Sequence, residues 1–243
     1  MSFEACAQIV EKADPERFAA AMSVPLDARR VLMPLYAFNT EIVRAPWMTQ
    51  EPMIAEMRLQ WWRDALEEIA EGGPVRRHEV TTPLAEVLPA EAARLLDDTV
   101  AARRWEVYRD PFADMAALEA YLTDTTGKLT EAAAMALGRP VANQRQFGFG
   151  VGLARFLAAV PVLIEQGRRP LPEGDLAALA ARGRAALKGG SGPECVEGFL
   201  AAPLLKQVER NPGAVMDGLQ EMAPLRRSLR LARAASGWLN YAS

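Results

Sequence analysis

The chain has 243 residues, half of them hydrophobic, and a formal net charge of −3 at pH 7. This length and apolar content suffice for one large or two small domains with a sizeable core, and the nearly balanced charge argues against nucleic acid as a partner. One histidine, His78, and two isolated cysteines, Cys6 and Cys195, argue against a Ser–His–Asp site or a multi-histidine metal centre and indicate a reducing compartment.

Neither the beginning of the chain nor its most apolar run has the pattern of a membrane segment. Residues 1–18 are acidic and contain no apolar stretch, so we expect no signal peptide. The longest apolar run, Phe156–Ile164, is far shorter than the ~20 residues that span a bilayer. We therefore expect a cytoplasmic protein.

Alanine and leucine dominate, and β-branched residues form no alternating runs, so the composition predicts helices throughout. A first helix should end near Lys12, and Asp14 should cap a second helix that begins with Pro15. A third is predicted at about Asp27–Val43. In that helix Asn39 lies within the apolar stripe, with Tyr36 beside it, so Asn39 is either bonded to buried backbone or lines a pocket.

The next helix, Glu51–Ile69, is predicted to be the central one. Its apolar side consists of Ile54, Met57, Trp61, Ala65 and Ile69. Because Trp61 and Trp62 are adjacent, both can be buried only if the helix has neighbours over a wide arc. Arg58 lies near the middle of the apolar stripe, so it must snorkel outward, pair with an acid such as Glu51, or line a polar hollow.

Three further long helices are predicted at Pro89–Tyr108, Asp114–Leu137 and Val141–Gln166. In the first, Arg103 points inward or covers an edge. The third contains Gly148, Gly150 and Gly152, whose spacing fails the dinucleotide pattern and instead indicates closely packed helices. Pro161 should kink it.

The last helix of the chain is predicted to be amphipathic and basic. Its apolar side should consist of Leu225, Leu229, Ala232 and Leu239, opposite Arg226, Arg227, Arg230 and Arg233. The basic face is either solvated or contacts a membrane surface. No composition shift marks a boundary, so residues 1–243 are predicted to form one all-α domain of about eight to eleven helices.

Several short motifs together resemble the squalene/phytoene synthase family. They are Leu35-Tyr36-Ala37-Phe38-Asn39, Glu51-Pro52-Met53, Arg58-Leu59-Gln60-Trp61-Trp62-Arg63, Leu118-Glu119-Ala120-Tyr121, Gly127, Ala136-Leu137-Gly138, Arg168-Arg169 and Leu171-Pro172. The resemblance covers most of Phe3–Asp175. It implies a single helical bundle of the isoprenoid synthase type, with a central cavity between the helices.

Active members of that family join or rearrange prenyl diphosphates with magnesium ions held by two aspartate-rich motifs. The need is physical, because a leaving diphosphate must be neutralised and magnesium prefers carboxylate oxygens. The resemblance puts Val43, Arg44 and Trp47 where the first motif has aspartates. In the second motif it puts Ala159 in place of asparagine and Val162-Leu163 in place of Arg-Asp. Asp97-Asp98 have no third acid nearby and point away from their apolar stripe.

This pattern resembles a non-catalytic branch of the family that contains assembly factors of respiratory complex I. It implies no catalytic residues, no metal and no cofactor, with either a respiratory-complex protein or a long apolar ligand as partner. The cavity-lining candidates are Tyr36, Asn39, Arg58, Trp62 and Arg103. The expected location is cytoplasmic and peripheral to the inner face of the plasma membrane. A prenyltransferase with a rearranged site and a lipid or isoprenoid carrier are the alternatives.

Overall fold

A computed structural model describes residues 3–242, so Met1, Ser2 and Ser243 of the predicted domain lie outside it. Within residues 3–242 the secondary structure is helical and no strand occurs, which confirms the predicted fold class. The α-helices are α1 (Phe3–Ala13), α2 (Pro15–Ser23), α3 (Leu26–Arg44), α4 (Pro52–Glu71), α5 (Thr81–Val87), α6 (Ala90–Ala102), α7 (Arg104–Tyr108), α8 (Met115–Leu122), α9 (Lys128–Ala136), α10 (Gln144–Glu165), α11 (Leu176–Ala186), α12 (Ala201–Arg210), α13 (Ala214–Asp217) and α14 (Pro224–Ala235). Short 3-10 helices occupy Ala45–Trp47 and Pro193–Gly198.

The helix boundaries follow local capping chemistry. Asp14 Oδ1 accepts a hydrogen bond from the backbone nitrogen of Arg17 at 3.0 Å, and Pro15 begins α2, as predicted. The described chain has more helices than the eight to eleven predicted. One reason is that the predicted helix at 89–108 is interrupted at Arg103.

A π-helical turn at Thr123–Gly127 interrupts the helix predicted at 114–137. Within this turn the hydroxyl of Thr125 donates to the carbonyl oxygen of Tyr121 at 2.7 Å. A hydroxyl that bonds back to a carbonyl four residues earlier competes with the regular helix ladder. The turn packs against α10 and forms one wall of the cavity described below.

The central helix is α10, and the prediction that the Glu51–Ile69 helix is central was wrong. α10 packs against α8, α9, the π-helical turn, α11, α12 and α13, whereas α4 packs mainly against α6, α7 and the first 3-10 helix. By length and composition α10 could also cross a membrane. However, more than half of its most apolar 18-residue stretch is buried inside the protein. It is thus accounted for as a core helix.

Glycines allow α10 to approach its neighbours closely, as the sequence predicted. A Cβ atom added to Gly148 would lie 2.5 Å from the carbonyl oxygen of Thr126 and 2.6 Å from the Thr130 hydroxyl. One added to Gly150 would lie 2.5 Å from the carbonyl oxygen of Gly183 in α11. The glycines therefore set the distances between α10 and two neighbouring elements.

We expect Gly148→Ala to lower the free energy of unfolding by about 2 kcal/mol. The clash with a backbone oxygen should outweigh the roughly 1 kcal/mol that alanine gains over glycine inside a helix. Gly73→Ala is the control, because nothing lies within 4 Å of the Cβ atom that it would add. Urea unfolding should show a lower midpoint for Gly148→Ala and little change for Gly73→Ala; equal effects would contradict the argument.

The inward face of α4 differs from the predicted one. The buried residues are Ala55, Leu59, Trp62, Ala65, Leu66 and Ile69, whereas Ile54 and Met57 are exposed and Trp61 is half-buried. The helix carries two overlapping apolar stripes, and only the stripe with Leu59 and Leu66 faces the protein. The other stripe, with Arg58 inside it, faces solvent.

The apolar side predicted for the last helix is mostly exposed, and Leu239, which was assigned to it, lies beyond the end of α14 and is half-buried against the core. Leu225, Leu229 and Ala232 face solvent, whereas Ala234 is buried and Leu231 is half-buried. Two of the arginines attach the helix to the protein: Arg227 pairs with Glu16 at 3.3 Å, and Arg230 donates to the carbonyl oxygen of Phe199 at 2.8 Å. The apolar stripe is left outside because these polar contacts occupy the inner side.

Candidate functional site: a charged cavity and a surface groove

The five predicted site residues fall into two separate places. Asn39 and Arg103 line a cavity between α3, α10 and the π-helical turn, and Tyr36 is buried next to it, beneath Arg17. Arg58 and Trp62 line a groove on the outer side of α4. The five predicted residues therefore do not form one site, and the cavity and the groove differ in chemistry.

The cavity has a volume of about 330 Å³ and a lining rich in arginine. Arg17, Arg44 and Arg155 reach it from three different helices and Arg103 from the break between α6 and α7, and Asn39, Thr40, Thr125 and Thr126 add polar groups. A cavity with this lining suits water or a small polar group better than a bare hydrocarbon chain.

An ion cluster beside the cavity joins α2, α10 and the second 3-10 helix. Arg17 Nε donates to Glu197 Oε2 at 2.5 Å, and Arg155 Nη2 donates to both carboxylate oxygens of Asp14 at 2.6 Å. Arg17 Nη1 also lies 3.4 Å from Asp14 Oδ2, and Arg155 Nη1 lies 3.6 Å from Glu197 Oε2. Two guanidinium groups and two carboxylates therefore neutralise one another.

The electrostatic effect of the cluster is visible at Asp14 and Tyr36. Burial opposes the charge of the Asp14 carboxylate, but the guanidinium groups of Arg17 and Arg155 and the backbone hydrogen bond lower its pKa below the usual value. Burial and the neighbouring Glu197 carboxylate raise the pKa of the Tyr36 hydroxyl well above its usual value. Asp14 is thus held as a carboxylate and Tyr36 as a neutral phenol.

A pH prediction follows from the lowered pKa of Asp14. Because its folded-state pKa lies below the unfolded value near 3.8, its contribution is complete above that value and is lost as the pH falls through the folded pKa. We expect Asp14→Asn, which keeps a capping group, to cost about 2 kcal/mol at pH 7. Urea unfolding from pH 7 to pH 2.5 should show the difference from the unmodified protein shrinking at the acid end. A difference that does not change with pH would contradict this role.

A second cluster on the other side of the cavity is centred on Glu106. Its Oε1 atom accepts hydrogen bonds from Arg103 Nη1 at 2.7 Å and the Tyr121 hydroxyl at 2.6 Å, and its Oε2 atom accepts one from Trp47 Nε1 at 2.8 Å. Burial is the main cause that raises the pKa of Tyr121 above its usual value. Arg168 Nη2 donates to the carbonyl oxygen of Glu106 at 2.6 Å, with its guanidinium 4.5 Å from the Trp47 ring centre.

Most of the positions that the family resemblance assigned to the magnesium motifs lie around this cavity, but Val162 is exposed and neither Val162 nor Leu163 lines it. Val43, Arg44 and Ala159 line it, and Trp47 holds Glu106 through its indole nitrogen. Within residues 3–242 no three histidine, cysteine, aspartate or glutamate side chains come close enough together to hold a metal ion. The carboxylates nearest the cavity, Asp14, Glu106 and Glu197, are each paired with arginine.

Asp97 and Asp98 are engaged elsewhere. Asp97 accepts two hydrogen bonds from Arg63, at 2.7 and 2.8 Å, and Asp98 accepts one from Lys128 at 2.9 Å. Both partners lie on helices that flank α6, away from the cavity. This placement agrees with the prediction that the pair points away from the apolar stripe.

The groove on α4 has a volume of about 470 Å³ and is mostly apolar. The rings of Trp61, Trp62 and His78 make mutual edge contacts, with ring centres between 4.9 and 5.5 Å apart, and line its inner part. Its outer part is formed by Met48, Ile54, Met57 and Arg58, and Glu41, which pairs with Arg44 at 2.9 Å, also lines it. Arg58 is exposed and its Nη1 atom lies 3.4 Å from the sulfur atom of Met48. Of the three alternatives for Arg58, the structure shows the outward one. The preferred expectation, that Arg58 lines an internal cavity, was wrong, because Leu59 and Trp62 occupy the inward directions.

The charged residues of the ion cluster beside the cavity were not predicted as site residues from the sequence. Asp14 was interpreted only as a helix cap, and Arg17 and Glu197 were not selected. Arg155 carried a usable signal, because it is the one charged residue between Gln146 and Ile164, in the most apolar helix of the chain. A charged side chain in the middle of such a helix requires a partner or a polar cavity.

The fold and the match of the sequence to a family define the class of this protein. A sequence model described as squalene/phytoene synthase matches residues 10–239, so the chain belongs to the squalene/phytoene synthase family. A crystal structure of a dehydrosqualene synthase in complex with ligand has the same fold. Its TM-score is 0.69 at 16% sequence identity, over 96% of this chain and 95% of that one.

Among individual proteins, the chain is similar to complex I assembly factors. It is 30% identical over 130 residues to the NADH dehydrogenase (ubiquinone) complex I assembly factor 6 homolog of Drosophila melanogaster, an alignment that covers 51% of this chain and 39% of that protein. It is 26% identical over 136 residues to complex I assembly factor 6 of Mus musculus, covering 51% and 38%. The human protein is 27% identical over 105 residues, covering 38% and 32%. The chain thus spans less than two fifths of the length of these curated relatives.

Proposed function

We propose that this chain is a non-catalytic member of its family that binds proteins during the assembly of respiratory complex I. The observation that carries the proposal is the charge balance of the cavity. Where diphosphate chemistry would need free carboxylates to hold magnesium, each nearby carboxylate is paired with an arginine. The similarity to complex I assembly factor 6 supplies the class of partner.

Calorimetry tests the non-catalytic part of the proposal. We expect no magnesium-dependent binding of farnesyl or geranylgeranyl diphosphate, because residues 3–242 offer no set of carboxylates that could hold the ion against the cavity. Micromolar magnesium-dependent binding together with product formation would instead establish the first alternative, a prenyltransferase with a rearranged site.

Complementation tests the assembly part. In a host strain lacking this gene, we expect reduced NADH:quinone activity and less assembled complex I on native gels, both restored by the intact gene. A variant with Arg17→Met and Glu197→Leu removes one charged pair and keeps Asp14 with Arg155, so it alters the cavity without leaving a charge unpaired. Normal complex I in the deletion strain would contradict the proposal.

A carrier of lipids or isoprenoids is the second candidate, and one observation favours it. A cleft of about 610 Å³ between α10, α12 and α14 has Leu200, Leu204, Leu219 and Met222 in its lining. Mass spectrometry of an organic extract of the purified protein distinguishes the candidates. A stoichiometric long-chain lipid would support the carrier, whereas its absence would favour protein binding.

The groove on α4 is the surface that we assign to the partner protein. Met48 and Met57, which line the groove, are 49% and 66% exposed, and methionine-rich surfaces adapt to apolar side chains of a partner. Arg58 adds a cation whose contact in the structure is a thioether sulfur, a weak acceptor. The chemistry fits an apolar helical segment that carries a carboxylate next to its apolar side chains.

We also propose that the protein works in the cytoplasm at the inner face of the plasma membrane, where complex I assembly would place it. Fractionation of the host should recover it partly with membranes at low salt. Recovery only in the soluble fraction at every salt concentration would contradict this location.

A further inference from the structure

We propose that the outward face of α14 binds a membrane surface that contains anionic lipid. The inference concerns a surface outside both the cavity and the groove, and it deepens the proposed location by naming the residues and the lipid class. Its test uses purified protein and vesicles, so its failure would leave the assembly experiment unaffected.

The first observation is an exposed apolar stripe on a helix that is fixed in place. Leu225 and Leu229 are 84% and 51% exposed and lie one turn apart on the same side of α14, with Ala232 next along that side. Trp238, just beyond the end of the helix, is 85% exposed. The contacts of Arg227 and Arg230 with Glu16 and Phe199 fix which side of the helix faces outward.

The second observation is the charge around this stripe. Residues 223–242 contain four arginines and no carboxylate. Arg226 and Arg233 are exposed and lie seven residues apart, so they project from one side next to Leu229. Exposed leucines bordered by arginines, with a tryptophan at one end, are the composition that binds the interface of an anionic bilayer.

Charge complementarity selects lipid over the other occupants of such a face. Anionic headgroups attract juxtamembrane arginines, while the leucines enter the boundary between headgroups and acyl chains. A second copy of the chain would bring its own Arg226 and Arg233 against these two arginines, because a twofold interface places the same patch on both partners. Like charges make that arrangement unfavourable.

Vesicle sedimentation tests the proposal directly. The probes are vesicles of phosphatidylcholine alone and of phosphatidylcholine with 30% phosphatidylglycerol. We expect the protein to bind the second at least tenfold more tightly, and the difference to shrink as salt is raised. Leu225→Glu with Leu229→Glu should weaken binding at least tenfold, and Arg226→Gln with Arg233→Gln about tenfold or more.

Controls distinguish binding through this surface from non-specific hydrophobic binding and from the effects of unfolding. Met53→Glu with Met57→Glu places the same change on the other exposed apolar surface and should leave vesicle binding unchanged. The replaced residues of α14 are exposed, so all variants should keep the unfolding midpoint of the parent. In addition, emission of Trp238, isolated as the difference from Trp238→Phe, should shift to shorter wavelength with the anionic vesicles.

Three results would overturn the proposal. One is equal binding to both kinds of vesicle, and another is unchanged binding of the Leu225→Glu, Leu229→Glu variant. The third is a vesicle-independent dimer, seen by light scattering, that this variant dissociates, because the face would then be an interface between copies of the chain.

Discussion

Glu197→Gln should lower the free energy of unfolding by about 3–5 kcal/mol, because it leaves two guanidinium groups facing one carboxylate in a buried cluster. Glu197 lies on the second 3-10 helix, and its partner Arg17 lies on α2, 180 residues away in the chain. The glutamine keeps the shape of the side chain, so the loss reports mainly on charge. Urea unfolding followed by circular dichroism measures it.

Glu209→Gln is the matched control for this prediction. Glu209 also makes a two-point contact with an arginine, Arg184, at 2.5 and 3.0 Å, but the pair is partly exposed to solvent. Its loss should cost less than about 1 kcal/mol. Adding Arg17→Met to Glu197→Gln should recover part of the stability, since Arg155 and Asp14 then remain as a balanced pair. A cost for Glu197→Gln no larger than that for Glu209→Gln would refute the role of the cluster.

The ion cluster illustrates what the sequence could not reveal. Asp14 was recognisable as a cap from its local context, because capping is decided within four residues of chain. Its ion pair with Arg155 joins residues 141 positions apart, and no local pattern encodes that pairing. The apolar sequence on both sides of Arg155 indicated that this arginine needs a partner, but only the fold identifies the partner.

The sequence also could not predict which face of an amphipathic helix packs against the protein. In α4, the buried residues Ala55, Leu59, Trp62, Leu66 and Ile69 repeat at helical spacing, and so do the exposed residues Ile54, Met57 and the half-buried Trp61. Periodicity identifies both stripes and cannot choose between them. The choice is made by packing against α6, which the sequence does not specify.

Other features were predictable because their causes are local or compositional. Helix content follows from residue propensities, and the family motifs together predicted the fold that the structural comparison found. The close packing at Gly148 and Gly150 was also predictable. No strand is predicted before these glycines, so a dinucleotide-binding loop was excluded and close contact between helices remained as their explanation. Asn39 and Tyr36 are buried, as their places within and beside the apolar stripe of α3 indicated. For Arg103 the sequence left open whether it points inward or covers an edge, and the structure shows it buried.

Met57→Glu combined with Arg58→Glu should prevent complementation of a strain lacking this gene while leaving the protein folded. Both side chains are exposed at the rim of the groove on α4, so the changes should alter the free energy of unfolding by less than about 0.5 kcal/mol. At an interface, the same changes remove an apolar anchor and reverse the charge that would meet a carboxylate of the partner.

The single variant Arg58→Met separates a structural from a functional role. A buried, paired arginine would cost roughly 3–5 kcal/mol when replaced, but the exposed position of Arg58 predicts an unchanged melting temperature. We expect this variant to reduce the level of assembled complex I on native gels, and the charge reversal to abolish it. Met216→Glu, at an exposed methionine on α13, is the control and should complement fully. Full complementation by the Met57→Glu, Arg58→Glu variant would show that the partner binds elsewhere, whereas loss of function with an unchanged melting temperature would assign the partner to this groove.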